Sequence, residues 1–169
     1  MYAKRLCQQT LTSPGYCWYN NDASTYKDTY GALYNWYTAN NSKLCPIGWH
    51  VPTDTEWAIL TDYLGGPDMA GGKMKEIGIS HWESPNTGAT NESGFTALPG
   101  GFRNLLGTFN DVKRNGTWHS ATEIRDTIHV EPRPYKHSWS RVVYFDANIV
   151  GRGDNYITGG FSIRCIKDN

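Results

Sequence analysis

The sequence predicts a single α+β domain, on three observations. Two early stretches carry apolar residues at helical spacing, the middle is rich in Gly, Asn, Pro and Ser, and the last third holds alternating, strand-like runs. A chain of 169 residues has the length of one domain around one core. Aliphatic side chains are scarce, but 7 Trp, 11 Tyr and 5 Phe replace them, and each ring buries a large area. Aromatics therefore carry much of the expected core.

One domain is expected over residues 1–169, with 1–29 an irregular N-terminal segment packed on it. Residues 30–39 read as a helix, with Leu33, Trp36 and Tyr37 at helical spacing. Residues 53–64 give a stronger helix. Thr53 followed by Glu56 is the capping-box pattern, Trp57, Leu60 and Leu64 share a face, and Gly65-Gly66 ends it. Residues 73–77 read as one or two helical turns. Residues 80–115 read as irregular, with Trp82, Phe95, Phe102 and Phe109 pinning the loop to the core. Strands are expected at 117–122 and at 139–146, where Trp139, Arg141, Val143 and Phe145 share one face. Phe161, Ile163 and Cys165 alternate in a last strand. Gly151, Gly153, Gly159 and Gly160 mark the connection before it as a turn-rich loop.

Composition excludes several functions. Lys and Arg total 16 against 16 Asp and Glu, so no basic excess exists to release counterions, and no nucleic-acid partner is expected. No apolar run is long enough to span a bilayer, so no membrane insertion is expected. Met1 to Arg5 does not read as a signal peptide; a leader removed from this chain, or release in a virus particle, is expected instead. The sequence has no G-x-S-x-G elbow, no H-E-x-x-H and no EF-hand loop. Gly71-Gly72-Lys73 is followed by Met74 rather than the Ser or Thr of a phosphate loop. His50, His81, His119, His129 and His137 form no i, i+4 pair, so neither metal nor cofactor is expected. Asp146, Asn148, Asp154 and Asn155 read as turn residues rather than calcium ligands.

Four cysteines allow three pairings, and spacing alone does not choose among them. The favoured set is Cys7 with Cys17, closing a short loop, and Cys45 with Cys165, tying the chain's end to its interior. The alternative is four buried thiols in a cytosolic protein.

The segment Leu44-Cys45-Pro46-Ile47-Gly48-Trp49-His50-Val51-Pro52-Thr53-Asp54, then Glu56-Trp57, resembles the signature of the Fibrobacter succinogenes major paralogous domain family. Tyr30-Gly31-Ala32-Leu33-Tyr34-Asn35-Trp36, Gly71-Gly72-Lys73-Met74-Lys75, Ser93-Gly94-Phe95, Leu98-Pro99-Gly100-Gly101-Phe102-Arg103 and Gly160-Phe161-Ser162-Ile163-Arg164-Cys165 extend the match. The resemblance implies a C-type lectin-like fold in the branch of the formylglycine-generating enzymes. That means two helices flanking a small twisted antiparallel sheet, with long loops on one side. It also implies a Cys45–Cys165 bridge, and export or surface attachment as a module of a larger bacterial or phage protein. The chain departs from the family pattern between Glu123 and Tyr156, where that fold places its ligand-facing surface.

The expected function is a non-enzymatic ligand-binding or adhesion module for an unknown protein or glycan. Tyr135, His137, Trp139, Arg141, Asn148, Arg152, Asp154, Asn155 and Tyr156 are the candidate contacts, being residue types that give large area and several donors at modest entropic cost. Residues 148–156 use only amino acids reachable by adenine mutagenesis of AAY codons, as in targets of diversity-generating retroelements. The alternatives are a structural terminal domain of a surface or virion assembly and, less favoured, an enzyme like the formylglycine-generating enzymes. Those use two cysteines near the C-terminus, whereas only Cys165 lies there in this chain.

Overall fold

The computed structural model describes residues 4–5, 12–124 and 136–168, a mixed α and β chain. Strand β1 (Lys4–Arg5) runs parallel to β2 (Gly15–Cys17). After a 3-10 turn at Tyr19–Asn21, Asp22 caps α1 (Ala23–Tyr30) by accepting from the Ser24 and Thr25 N–H groups. Helix α1 stands where the sequence reading places irregular chain. It has no buried residue, and ring contacts of Tyr26 with Tyr19 and Tyr30 hold it.

The expected helix over 30–39 is broken. Gly31 takes φ +73°, which ends α1, and β3 (Leu33–Tyr34) pairs antiparallel with β2. Asn35 then caps the short α2 (Trp36–Ala39), and its Oδ1 also accepts from the Gly15 N–H. Strand β4 (Trp49–His50) precedes α3 (Asp54–Tyr63), where the Thr53/Glu56 capping box forms as the sequence indicates. Pro67 at the first turn starts α4 (Pro67–Met74), several residues before the helical turns expected at 73–77.

The middle of the chain is more ordered than its composition suggests. Strand β5 (Gly100–Arg103) pairs antiparallel with β6 (Phe109–Val112). Strands β7 (Asn115–Ile124), β8 (His137–Tyr144) and β9 (Val150–Tyr156) complete a five-stranded sheet in the order β6-β5-β7-β8-β9, with only the β5–β7 pair parallel. The register of β7 shifts between His119 and Glu123, a bulge that takes Ala121 out of the ladder to donate to Pro52 O. Residues 150–156, expected as a loop, are therefore a strand. The expected last strand is also redrawn: Gly160, Phe161 and Ser162 make single bridges to Arg103, Tyr34 and Trp118, and regular pairing begins only in β10 (Ile166–Lys167), against β4.

Where the sequence suggests two flanking helices, the described residues form four α-helices and the 3-10 turn. Two of them, α3 and α4, pack on one face of the sheet. Trp57 of α3, Leu64 at its C-terminal cap, and Ala70 and Met74 of α4 meet Trp118, Val143 and Val150 there. Gly71 and Gly72 make α4 thin enough for this: a Cβ on Gly72 would stand 2.4 Å from Gly88 O, and one on Gly71 2.3 Å from Ile149 O. A second cluster holds Trp36, Cys45, Val51 and Ile157. Cys45 is bonded to Cys165 across 120 residues, and closing a loop of that length contributes roughly 5 kcal/mol on the chain-entropy model. Cys17 is buried in a third cluster, while Cys7 lies outside the described residues, and with it the expected Cys7–Cys17 bridge. The Cys45–Cys165 bond is consistent with an extracellular, oxidising location. No described helix is long and apolar enough to cross a membrane.

Candidate functional site

Residues directly opposite one another in an antiparallel pair share a face. In the ribbon of β8 and β9 the register pairs Val143 with Val150, Arg141 with Arg152, Trp139 with Asp154 and His137 with Tyr156. Eight side chains thus form one strip, and its chemistry changes along its length. Val143 and Val150 belong to the core beneath α3 and α4. Beyond them every residue of the strip is charged, aromatic or histidine.

Asp54, the first residue of α3, sits at the change. Arg141 donates from Nη1 to its Oδ1 at 2.7 Å and from Nη2 to its backbone oxygen at 3.1 Å. Arg152 donates from Nε to Oδ1 at 3.1 Å and from Nη2 to Oδ2 at 2.7 Å. The Asp54 N–H donates to Thr122 Oγ1 at 3.0 Å, which ties the helix start to the β7 bulge. Desolvation works to raise the Asp54 pKa, but hydrogen bonds and charge from Arg152 and Arg141 outweigh it and hold the carboxyl below its ordinary value.

The two arginines differ in exposure. The Arg141 side chain is 5% exposed and that of Arg152 49%. The Arg152 guanidinium lies over the Trp139 ring, 3.3 Å from its centroid, and so is held between an indole and a carboxylate. Further out, His137 Nδ1 is hydrogen-bonded to Asp154 Oδ1, and the His137 ring lies 4.4 Å from that of Tyr156. Lys136 and Glu123 pair at 3.3 Å beside the last β7–β8 rungs.

Six of the nine sequence-predicted contacts are thus brought together: His137, Trp139, Arg141, Arg152, Asp154 and Tyr156. Arg141 is buried among them and acts as an anchor. Asn155 faces the other side of the ribbon, donating from Nδ2 to Ser140 Oγ at 2.7 Å. Asn148 stands beyond the inner end, its Oδ1 against Gly88 and Gly72. Tyr135 lies outside the described residues. Sequence reasoning missed Asp54 and Thr122. The capping box places Asp54 at a helix start, but its arginine partners are 87 and 98 residues away along the chain, and no local pattern signals such a meeting.

The model of the Fibrobacter succinogenes major domain matches residues 3–167 of this chain. The chain belongs to that family. Comparison with curated proteins and comparison with solved structures each gave no match. In this Fibrobacter succinogenes major domain the matched span takes in every described element, so the strip is part of the domain rather than an appendage to it. Among the described residues no three His, Cys, Asp or Glu gather to hold a metal ion. Asp154 and Asn155 point to opposite faces, and Asn148 is packed against glycine. The strip offers an indole face, guanidinium N–H groups and carboxylate oxygens.

Proposed function

We propose that the domain is a non-enzymatic ligand-binding or adhesion module and that the outer end of the β8–β9 ribbon is its contact surface. One observation carries the reading: Arg152 is half-exposed yet already fixed, stacked on Trp139 and hydrogen-bonded twice to Asp54. A side chain ordered before binding loses little entropy on contact. The rigid sheet and the Cys45–Cys165 bond support this use, since loops and strands that grip a partner work best on a fixed frame. A C-type lectin-like fold, related to that of formylglycine-generating enzymes, fits the α+β arrangement. Display on a cell surface or virion as a module of a longer protein fits the disulfide.

Diversification by a retroelement is the sharper form of the proposal. It now rests on a strand, with Arg152, Asp154 and Tyr156 on the strip and Gly151, Gly153 and Asn155 behind it. A near-identical template repeat and a reverse-transcriptase gene beside the coding sequence would support it, and their absence would remove it. An enzyme of the formylglycine-generating type would need Cys165 as a thiolate, whereas its sulfur is bonded to Cys45. Protein and glycan arrays probed with the wild type and with Trp139→Ala test the main reading. Signals lost in the variant are expected; signals unchanged by it, or none from either protein, would reject the ribbon as the contact surface.

A further inference from the structure

Beside α3 lies a pocket of about 270 Å³, lined by Glu56, Trp57, Leu60, Phe95, Arg164 and Ile166, among others. Its size is just under the roughly 300 Å³ at which drug-sized small-molecule sites begin, so it suits one ring or one branched chain rather than an extended ligand. The floor is apolar. Trp57 is 2% exposed and pinned by its indole N–H, which donates to His119 O at 3.2 Å.

The two charged residues at this pocket are not equivalent. Glu56 has both oxygens occupied: Oε2 accepts from the Thr53 N–H and Thr53 Oγ1, each at 2.8 Å, and Oε1 is 2.8 Å from His50 Nε2. Arg164 lies over the Phe95 ring, 4.5 Å from its centroid, and donates from Nη2 to Phe95 O at 2.7 Å. Among the described residues no carboxylate lies within ion-pair distance of it, in contrast to Arg141, Arg152 and Arg114. Stacking and one hydrogen bond fix the guanidinium plane, and among the described residues no other acceptor takes its remaining N–H groups. A fixed guanidinium without a counter-charge beside an apolar cavity is the geometry that receives a carboxylate.

We propose that this pocket binds a small organic acid, with one apolar ring or branched chain set against Trp57, Leu60 and Phe95 and its carboxylate on Arg164. This site is independent of the ribbon. Neither surface shares a side chain with the other, so one can fail without the other.

The test is an NMR titration of the full chain with 3-phenylpropanoate and with its neutral amide, following the Trp57 indole N–H and the amides of residues 164–166. Saturable shifts with the acid are expected, with a dissociation constant on the order of 1 mM, and about tenfold weaker binding of the amide. Arg164→Gln keeps a donor for Phe95 O, and is expected to reduce acid binding about tenfold to the level of the amide. Leu60→Phe, which fills the cavity, should weaken acid and amide alike, provided the rest of its spectrum matches the wild type. Equal affinity for acid and amide, no saturable shift at Trp57, or shifts centred on Trp139 and Arg152 would each overturn the proposal.

Discussion

Two regions of this domain place polar groups among apolar ones, and they do so in opposite ways. In the interior, Lys75 is 0% exposed, and its Nζ donates to the backbone oxygens of Thr87, Tyr144 and Ala147 at 2.8 to 2.9 Å. His119, also 0% exposed, donates from Nε2 to Tyr34 O at 2.7 Å, with its ring edge-on to Phe161. At the outer end of the ribbon, Arg152, Asp154 and His137 pair with other side chains and remain in reach of water. Backbone acceptors cannot rotate away, so the interior contacts exist only in the folded chain and serve to knit distant segments. Side-chain partners can be exchanged, so contacts on the strip can be surrendered to a ligand without unfolding anything.

The strongest way to break the comparison is Lys75→Met. Three carbonyls from two different loops and the end of β8 lose their donor together. Each unsatisfied carbonyl costs about 1–3 kcal/mol, and part of the total is offset because no ammonium need be desolvated. A net loss of about 4 kcal/mol is expected, read as a lower midpoint in urea, with any ligand signal from the strip kept in the protein that remains folded. A loss under about 1 kcal/mol would mean that the three segments are held by something else.

The next largest effect is one of pH. Burial pushes the His119 pKa down from 6.5 to about 4. Between those values the unfolded chain binds a proton that the folded one does not, so stability falls as pH drops from 6.5 toward 4 and levels off below. The full span amounts to about 3 kcal/mol. His119→Gln keeps a donor for Tyr34 O and removes the titration, so its stability should be nearly flat over that window. The paired carboxylates Asp54 and Glu56, whose pKa values are lowered, begin to lose their contribution near their ordinary values, at the bottom of this window, and do so equally in both proteins, so the difference in slope still reports His119. Equal slopes for the two proteins, measured by urea unfolding at several pH values, would show that His119 is reached by solvent.

Which parts of this arrangement could be read from sequence follows from how local each signal is. Helix α3 is legible because its capping box, its apolar face and its closing glycines lie within one short stretch. Strand β8 is legible for the same reason, through its alternation. Strand β9 is not, because Gly151 and Gly153 look like turn residues. Their actual role is to leave room on the back of the ribbon: a Cβ on Gly151 would stand 2.7 Å from Val142 Cγ1 and 2.8 Å from the Tyr144 hydroxyl, and one on Gly153 2.7 Å from Ser140 Oγ. The β5–β6 pair is hidden similarly, since Gly101 at φ +63° lies against Asn110 O. Aromatic and charged types between 137 and 156 single out residues that the β8–β9 register does place on one face. The distinction between anchor and contact was not visible, since it depends on Asp54 arriving from a distant helix.

The two arginines on Asp54 give the finest test of that distinction. They share one carboxylate, so a purely local account would expect similar costs for removing either. Burial says otherwise. Arg141→Met takes away three hydrogen bonds, two to Asp54 and one to Ser140 O, in a place that water barely reaches and leaves the half-buried Asp54 with one partner, which should cost about 2 kcal/mol. Arg152→Ala removes a pair open to solvent together with its stacking on Trp139, and screening limits the loss to about 1 kcal/mol or less. Ligand capture should rank the other way, with Arg152→Ala losing signal and Arg141→Met retaining most of it in the folded fraction. Urea midpoints combined with array signals from both variants read this ranking directly. If Arg152→Ala proves the more destabilising, or leaves capture unchanged, then Arg152 is an anchor like Arg141, and the contact surface does not extend as far inward along the ribbon as Asp54.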